Sequence, residues 1–237
     1  GNILTNSFFF MSIGLAAAFF VAVQYAAEAA WGVVLKRVFE AVMAFLPIGA
    51  VCIVLILILG QLHVHGMYHW MHPEVYDIAN VEFDEIIAHK QPYFHTIFFW
   101  ARTLIFLGGY IWAARLLRRR SLEEDRIGGT QLYFKNRITS AGFLVFFGFT
   151  SVVAVWDWLM SIDTHWFSTL YGWYVFSGMW VSAITVFVLL TLHLKRRGYL
   201  ENVNENHLHD LGKWMFAIAL LWCYLWFSQY MLIWYAN

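Results

Sequence analysis

Charge is what this chain has least of. Asp, Glu, Lys and Arg make up 13% of its 237 residues, about half of the roughly 25% in an ordinary soluble domain. So few charges cannot cover a soluble surface. Neither sign is in excess, with fifteen basic and fifteen acidic residues, so the basic footprint of a nucleic-acid partner is absent. Cysteine is nearly missing. Cys52 and Cys223 each stand alone in an apolar run. They exclude a disulfide framework, a CxxC metal knuckle and a CxxCH haem attachment. No two histidines are adjacent, and no apolar run places two histidines deep inside it, which argues against a b-type cytochrome.

The remainder is apolar, 61% hydrophobic and 20% aromatic, and it comes in long runs. Each membrane span needs about 20 apolar residues. The runs predict spans at 8–27, 41–62, 94–114, 138–160, 169–194 and 214–235. In lipid every backbone polar group must be satisfied within the segment, so these are helices. The fold class is an all-α, polytopic transmembrane helix bundle forming a single transmembrane domain over 1–237. The first apolar run is followed by further spans and does not read as a cleavable signal peptide. The chain opens on Gly and stops on WYAN, and the expectation is a fragment of a longer protein.

The basic residues divide the connections into two kinds. Thirteen of the fifteen fall in the 28–40, 115–137 and 195–213 segments. Lys90 is the one basic residue on the other side, and Arg102 lies within a span. The positive-inside rule makes the three basic segments cytoplasmic. Both chain ends and the 63–93 loop then face outward. Gly14, Ala18, Ala22, Ala26 and Ala30 repeat at four-residue spacing, which lets a neighbouring helix come close in an ordinary packed interior. In the outer loop, Phe83, Ile86 and Ile87 share a helical face. They predict a short amphipathic helix lying on the outer membrane surface, or a docking surface for an extramembrane partner.

An ionisable side chain at the bilayer centre costs about 2.5–3.5 kcal/mol on insertion scales, so each one asks for a reason. Glu28 follows Gln24 by one turn near the cytoplasmic end of the first span. Two roles stand open for it, reaching the interface and relaying protons. Arg102 lies eight residues past Phe94, about 12 Å into the membrane at 1.5 Å per residue. It calls for an internal carboxylate, and Asp157, in the outer half of the next span, is the candidate. His65, His69 and His72 have i, i+4, i+7 spacing, but Gly66 interrupts and Pro73 follows. Interfacial histidines are the preferred reading, and no metal is expected. His207, His209 and Asp210 precede the last span. They suit capping of that helix, and also cytoplasmic proton collection, because histidine titrates near neutrality.

The densest polar cluster is WDWLMSIDTHW, residues 156–166. Asp157, Asp163 and His165 are candidate bases, while Trp156, Trp158, Trp166 and Tyr171 are flat apolar walls. Bases set against flat apolar walls at the outer interface suit a ligand site that handles protons. The bland reading stands beside it. Tryptophans populate interfacial belts, Asp163-Thr164 is turn chemistry, and Asp157 neutralises Arg102.

Four stretches carry a family resemblance: YHWMHPEV followed by HKQPYFHTIFFWAR, DWLMSIDTHWFSTLYG, HLHDLGKWMF, and FSQYMLIWYAN. In this order and spacing they resemble the NrfD-like integral membrane subunits of bacterial alternative complex III, the ActF type more than the ActC type. The resemblance implies a ten-helix fold with two four-helix bundles, of which the six visible spans are the fourth to ninth. It implies a multi-pass subunit of the bacterial inner membrane within a quinol:cytochrome c oxidoreductase of an electron-transport chain. Its partners would be a second NrfD-like subunit, an iron–sulfur subunit, c-type cytochrome subunits and small membrane subunits. Haem c and iron–sulfur clusters belong to those partners. This subunit would bind no cofactor of its own, menaquinol or another quinol being the possible ligand, with the bases and walls of residues 156–171 at the outer face as its site. It would supply scaffold and a proton path from His207, His209 and Glu28 toward Asp157 and Arg102, without being catalytic alone. HPEVY, residues 72–76, also resembles the copper-ligand segment of haem–copper oxidases, but no transmembrane helix opens there. A metal-bearing oxidase subunit and a stand-alone transporter are the alternatives.

Overall fold

The computed structural model describes residues 1–236. The chain folds as nine α-helices joined by short 3-10 turns, with no strand among the described residues. They are α1 (Asn2–Ala26), α2 (Lys36–Met43), α3 (Leu46–Gln61), α4 (Glu85–His89), α5 (Gln91–Phe94), α6 (Thr96–Ile127), α7 (Gln131–Trp158), α8 (Leu170–Arg196) and α9 (Glu205–Ala236). Six segments are long and apolar enough to cross a membrane, in the order the hydropathy runs predict.

The central element is α1, which packs against α2, α3, α7 and α8. Its small-residue stripe explains how four neighbours fit. Ala18 and Ala22 are fully buried. A Cβ added at Gly14 would fall 3.2 Å from the Leu46 backbone nitrogen, so α3 crosses almost at backbone contact. The same crossing uses Gly49, where a Cβ would meet Met11 Cβ at 2.6 Å. The stripe stops there, because Ala26 and Ala30 are exposed. At the other extreme, α9 lies at the edge of the bundle against α8.

Two features sharpen the reading of the hydropathy runs. The predicted 41–62 span is broken, since α2 ends at Met43 and α3 restarts at Leu46. Pro47 causes this. It lacks an N–H and its ring excludes the carbonyl four residues back, so it sits in the first turn of a new helix. The 115–137 segment is mostly helix, because α6 and α7 both continue well beyond their apolar runs. At 1.5 Å per residue α6 is about 48 Å long, against a hydrocarbon core of about 30 Å. Gly128 and Gly129, at φ 75° and 80°, make the left-handed turn between them.

The 63–93 segment folds over the end of the bundle where α6 begins and α7 ends. Only five residues, Glu85–His89, form the amphipathic helix α4, capped by Asp84 Oδ1 accepting from the Ile86 and Ile87 N–H groups at 2.9 and 3.1 Å. Ile87 is fully buried and Ile86 exposed, and Phe83 precedes the helix. Tyr68, Trp70, Met71 and Val75 plug the loop into the core. Trp70 stacks on Phe94 at 4.6 Å. The Tyr68 hydroxyl donates to the Trp158 carbonyl at 2.7 Å, and burial pushes that phenol above its ordinary pKa.

Candidate functional site

The N-terminal end of α6 and the C-terminal end of α7 meet in a buried charge pair. On α6, Phe99, Arg102, Thr103, Phe106 and Tyr110 are buried, an i, i+3, i+4 face turned inward. On α7, Ala154, Asp157 and Trp158 are buried in the same way, and Ser161 continues the face beyond the helix end. Arg102 Nε donates to Asp157 Oδ2 at 2.8 Å, and its Nη2 donates to Oδ1 at 2.9 Å. This two-pronged geometry is the strong form of the arginine–carboxylate contact. Asp157 has no exposed surface, and the Arg102 side chain is 10% exposed.

Tyr93 completes the cluster, and sequence reasoning missed it. Its hydroxyl donates to Asp157 Oδ1 at 2.7 Å. Its carbonyl accepts from Arg102 Nη1 and Nη2, both at 3.2 Å. The guanidinium also lies 4.0 Å from the Tyr93 ring centroid and 4.3 Å from that of Phe98, a cation–π arrangement. Burial first, then the Asp157 charge, pushes the Tyr93 phenol above its ordinary range, against a smaller pull downward from Arg102. Tyr93 therefore stays a donor at neutral pH. The available signal was its place beside Pro92, in the turn just ahead of the helix that carries Arg102.

The other two candidate bases have different partners. Asp163 Oδ1 accepts from the His165 and Trp166 N–H groups at 3.1 and 3.3 Å, the turn chemistry the sequence suggested. His165 Nε2 lies 2.8 Å from Asp84 Oδ2, so it ties the outer loop to the α7–α8 connection and does not face Asp157. Lys90 Nζ donating to the Thr164 carbonyl makes a second tie. Of the four proposed walls, Trp158 is core, with its indole N–H donating to Thr103 Oγ1 at 3.2 Å. Tyr171 packs on Trp166 and Tyr174.

Trp156 and Trp166 do line a cavity. It measures about 270 Å³, opens beside the charge pair and is walled also by Tyr93, Phe94, Met160 and Phe167. Asp163 stands at its rim with Oδ2 free of hydrogen bonds among the described residues. The Trp156 indole nitrogen is buried and has no protein partner. A flat ligand carrying a carbonyl or hydroxyl would find apolar walls, the Trp156 indole, the Lys90 ammonium and the Asp163 carboxylate there.

The candidates Glu28, His207, His209 and Asp210 lie apart from this cluster. Glu28, at φ 51°, pairs with Arg137 on the exposed inner face. His207 forms a capping box with Asn204: Asn204 Oδ1 accepts from the His207 N–H at 3.3 Å, and His207 Nδ1 accepts from the Asn204 N–H at 3.2 Å. His209 is exposed, and Asp210 pairs with Lys213 at 3.1 Å. Among the described residues no chain of hydrogen bonds links these groups to Asp157. Nor does any cluster of three or more His, Cys, Asp or Glu side chains suit a metal ion among them. His65 instead hydrogen-bonds the Ile56 carbonyl at 3.0 Å. Comparison with known proteins finds no family model that matches the chain and no curated relative.

Proposed function

We propose that this chain is an NrfD-like membrane subunit of a bacterial quinol:cytochrome c oxidoreductase, and that its outer-face cavity forms part of a quinol site. The observation that carries the reading is the cavity beside Tyr93, lined both by Trp156, whose indole nitrogen has no protein partner, and by Asp163. Quinol oxidation sends two electrons to an acceptor and releases two protons. Electrons would leave to redox centres of the partner subunits, the iron–sulfur and c-type cytochrome subunits. Within this chain, Trp156 N–H would hold one quinol oxygen. Asp163 would accept the two hydroxyl protons one after the other and pass each to the outer aqueous phase. Asp157 serves as counter-ion to Arg102 rather than as carrier, because protonating it would strand a buried guanidinium. The pair holds Tyr93 and the cavity wall in place.

The test is steady-state quinol:cytochrome c activity of the assembled complex. Trp156→Phe keeps the wall and removes the donor, and should raise KM about fivefold, the worth of one hydrogen bond. Asp163→Asn keeps a turn-forming side chain and removes the base, and should lower kcat with little change in KM. Unchanged kinetics in both variants, or a chain that purifies alone as a functional transporter, would overturn the proposal.

A further inference from the structure

A second cavity lies at the opposite end of the bundle, enclosed by the end of α1, the 27–35 connection, α2 and the inner ends of α6 and α7. Its volume is about 220 Å³. Val21, Gln24 and Tyr25 line it from one face of α1, together with Val33, Phe39 and Glu124. Tyr25 is 4% exposed, yet its hydroxyl has no protein partner. Gln24 Oε1 and Glu124 Oε2 are buried without a hydrogen bond as well. Lys36 Nζ approaches Glu124 Oε2 only to 3.7 Å. Three unsatisfied polar atoms around one cavity are uncommon in a folded interior, where nearly all such atoms find partners. A glycine preserves the arrangement, since a Cβ at Gly32 would fall 2.7 Å from Gln24 Oε1.

The position and the donor balance select the ligand. Glu124 is 28 residues beyond Thr96 along α6, about 42 Å at 1.5 Å per residue. That exceeds the hydrocarbon thickness of about 30 Å, so the cavity sits at headgroup level. The two orphan oxygens on Gln24 and Glu124 accept, and the phenol does either, so the occupant must bring hydrogen-bond donors. Lys36, at the lining, and the cluster of basic residues on this face suit a phosphate at the mouth.

We infer that the cytoplasmic cavity formed by Gln24, Tyr25, Gly32, Lys36 and Glu124 is a specific binding site for a phospholipid whose headgroup carries hydrogen-bond donors, a glycerol or an ethanolamine. The donors face Glu124, Gln24 and Tyr25, and the phosphate lies against Lys36. This site is independent of the outer cavity and does not rest on the proposed quinol chemistry.

The test is native mass spectrometry of the purified, delipidated protein titrated with phosphatidylglycerol, phosphatidylethanolamine or phosphatidylcholine of matched chains. Phosphatidylcholine keeps the phosphate and lacks the donors. The expected result is binding of one of the first two lipids at least fivefold tighter than phosphatidylcholine, reduced about fivefold by Tyr25→Phe. Gly32→Ala pushes on the Gln24 amide and should weaken the same lipid. Circular dichroism on both variants reports that the helices are kept. Equal binding of all three lipids, or no effect of either folded variant, overturns the site. So does displacement of the lipid by a short-chain quinol, which would make the cavity a quinol site instead. Soluble glycerol phosphate is a further arm: if it binds as tightly as the lipid, the ligand is a free phosphate ester and the lipid assignment fails.

Discussion

Removing one member of the Arg102–Asp157 pair should be far worse than removing both. Asp157→Asn leaves the guanidinium with the Tyr93 carbonyl and two ring faces. Arg102→Gln leaves a carboxylate of zero exposure with one phenol donor. Breaking a buried pair costs about 3–5 kcal/mol. Asp157→Asn belongs near the lower end, since Arg102 keeps partial partners, and Arg102→Gln near the upper end. A double Arg102→Leu/Asp157→Leu variant removes both desolvation penalties, and packed apolar replacements of buried pairs are often neutral. It should cost less than either single change. The assay is unfolding in mixed micelles with a rising fraction of denaturing detergent, read by circular dichroism and run as a double-mutant cycle. Two single variants each losing under about 1 kcal/mol, or a double variant losing the sum of the singles, would refute the reasoning that this is a desolvated, mutually dependent pair.

Helix crossings provide a second prediction. Gly49→Ala places a Cβ 2.6 Å from Met11 Cβ and should cost about 1–3 kcal/mol by overpacking, whereas Gly108→Ala meets nothing within 4 Å and should stabilise α6 by up to about 1 kcal/mol; the same unfolding assay compares them. The Tyr68 and Tyr93 phenols have raised pKa values when folded. Their stabilisation is therefore fully present below about pH 10, the unfolded value, and is lost as pH rises through the folded values. Ultraviolet difference titration should show both phenols ionising only together with unfolding, and independent ionisation at an ordinary value would contradict their burial. The positive-inside orientation predicts that a membrane-impermeant thiol reagent added outside labels Val81→Cys and spares Thr130→Cys; the reverse pattern inverts the topology.

The number and order of the spans were legible because lipid burial acts on composition, and a run of about 20 apolar residues needs no partner to be recognised. Arg102 was legible as a charge needing a carboxylate, and Asp157 was the carboxylate found at matching depth. Tyr93 was not, because its hydroxyl and carbonyl reach the pair only through the turn that precedes α6. The break between α2 and α3 was written in Pro47, but hydropathy averages across it. His165 illustrates the limit most clearly. Eight residues from Asp157 in a cluster of polar groups, it looked like a member of one site, yet the outer loop brings Asp84 to it from eighty-one positions away. Local chemistry and the apolar runs determined which segments are long and apolar enough to cross a membrane, and the distribution of basic residues predicts which way they point. Which polar groups share a cavity was decided only by how the helices pack, since that depends on crossings at Gly14 and Gly49 and on a loop folding back over the bundle end.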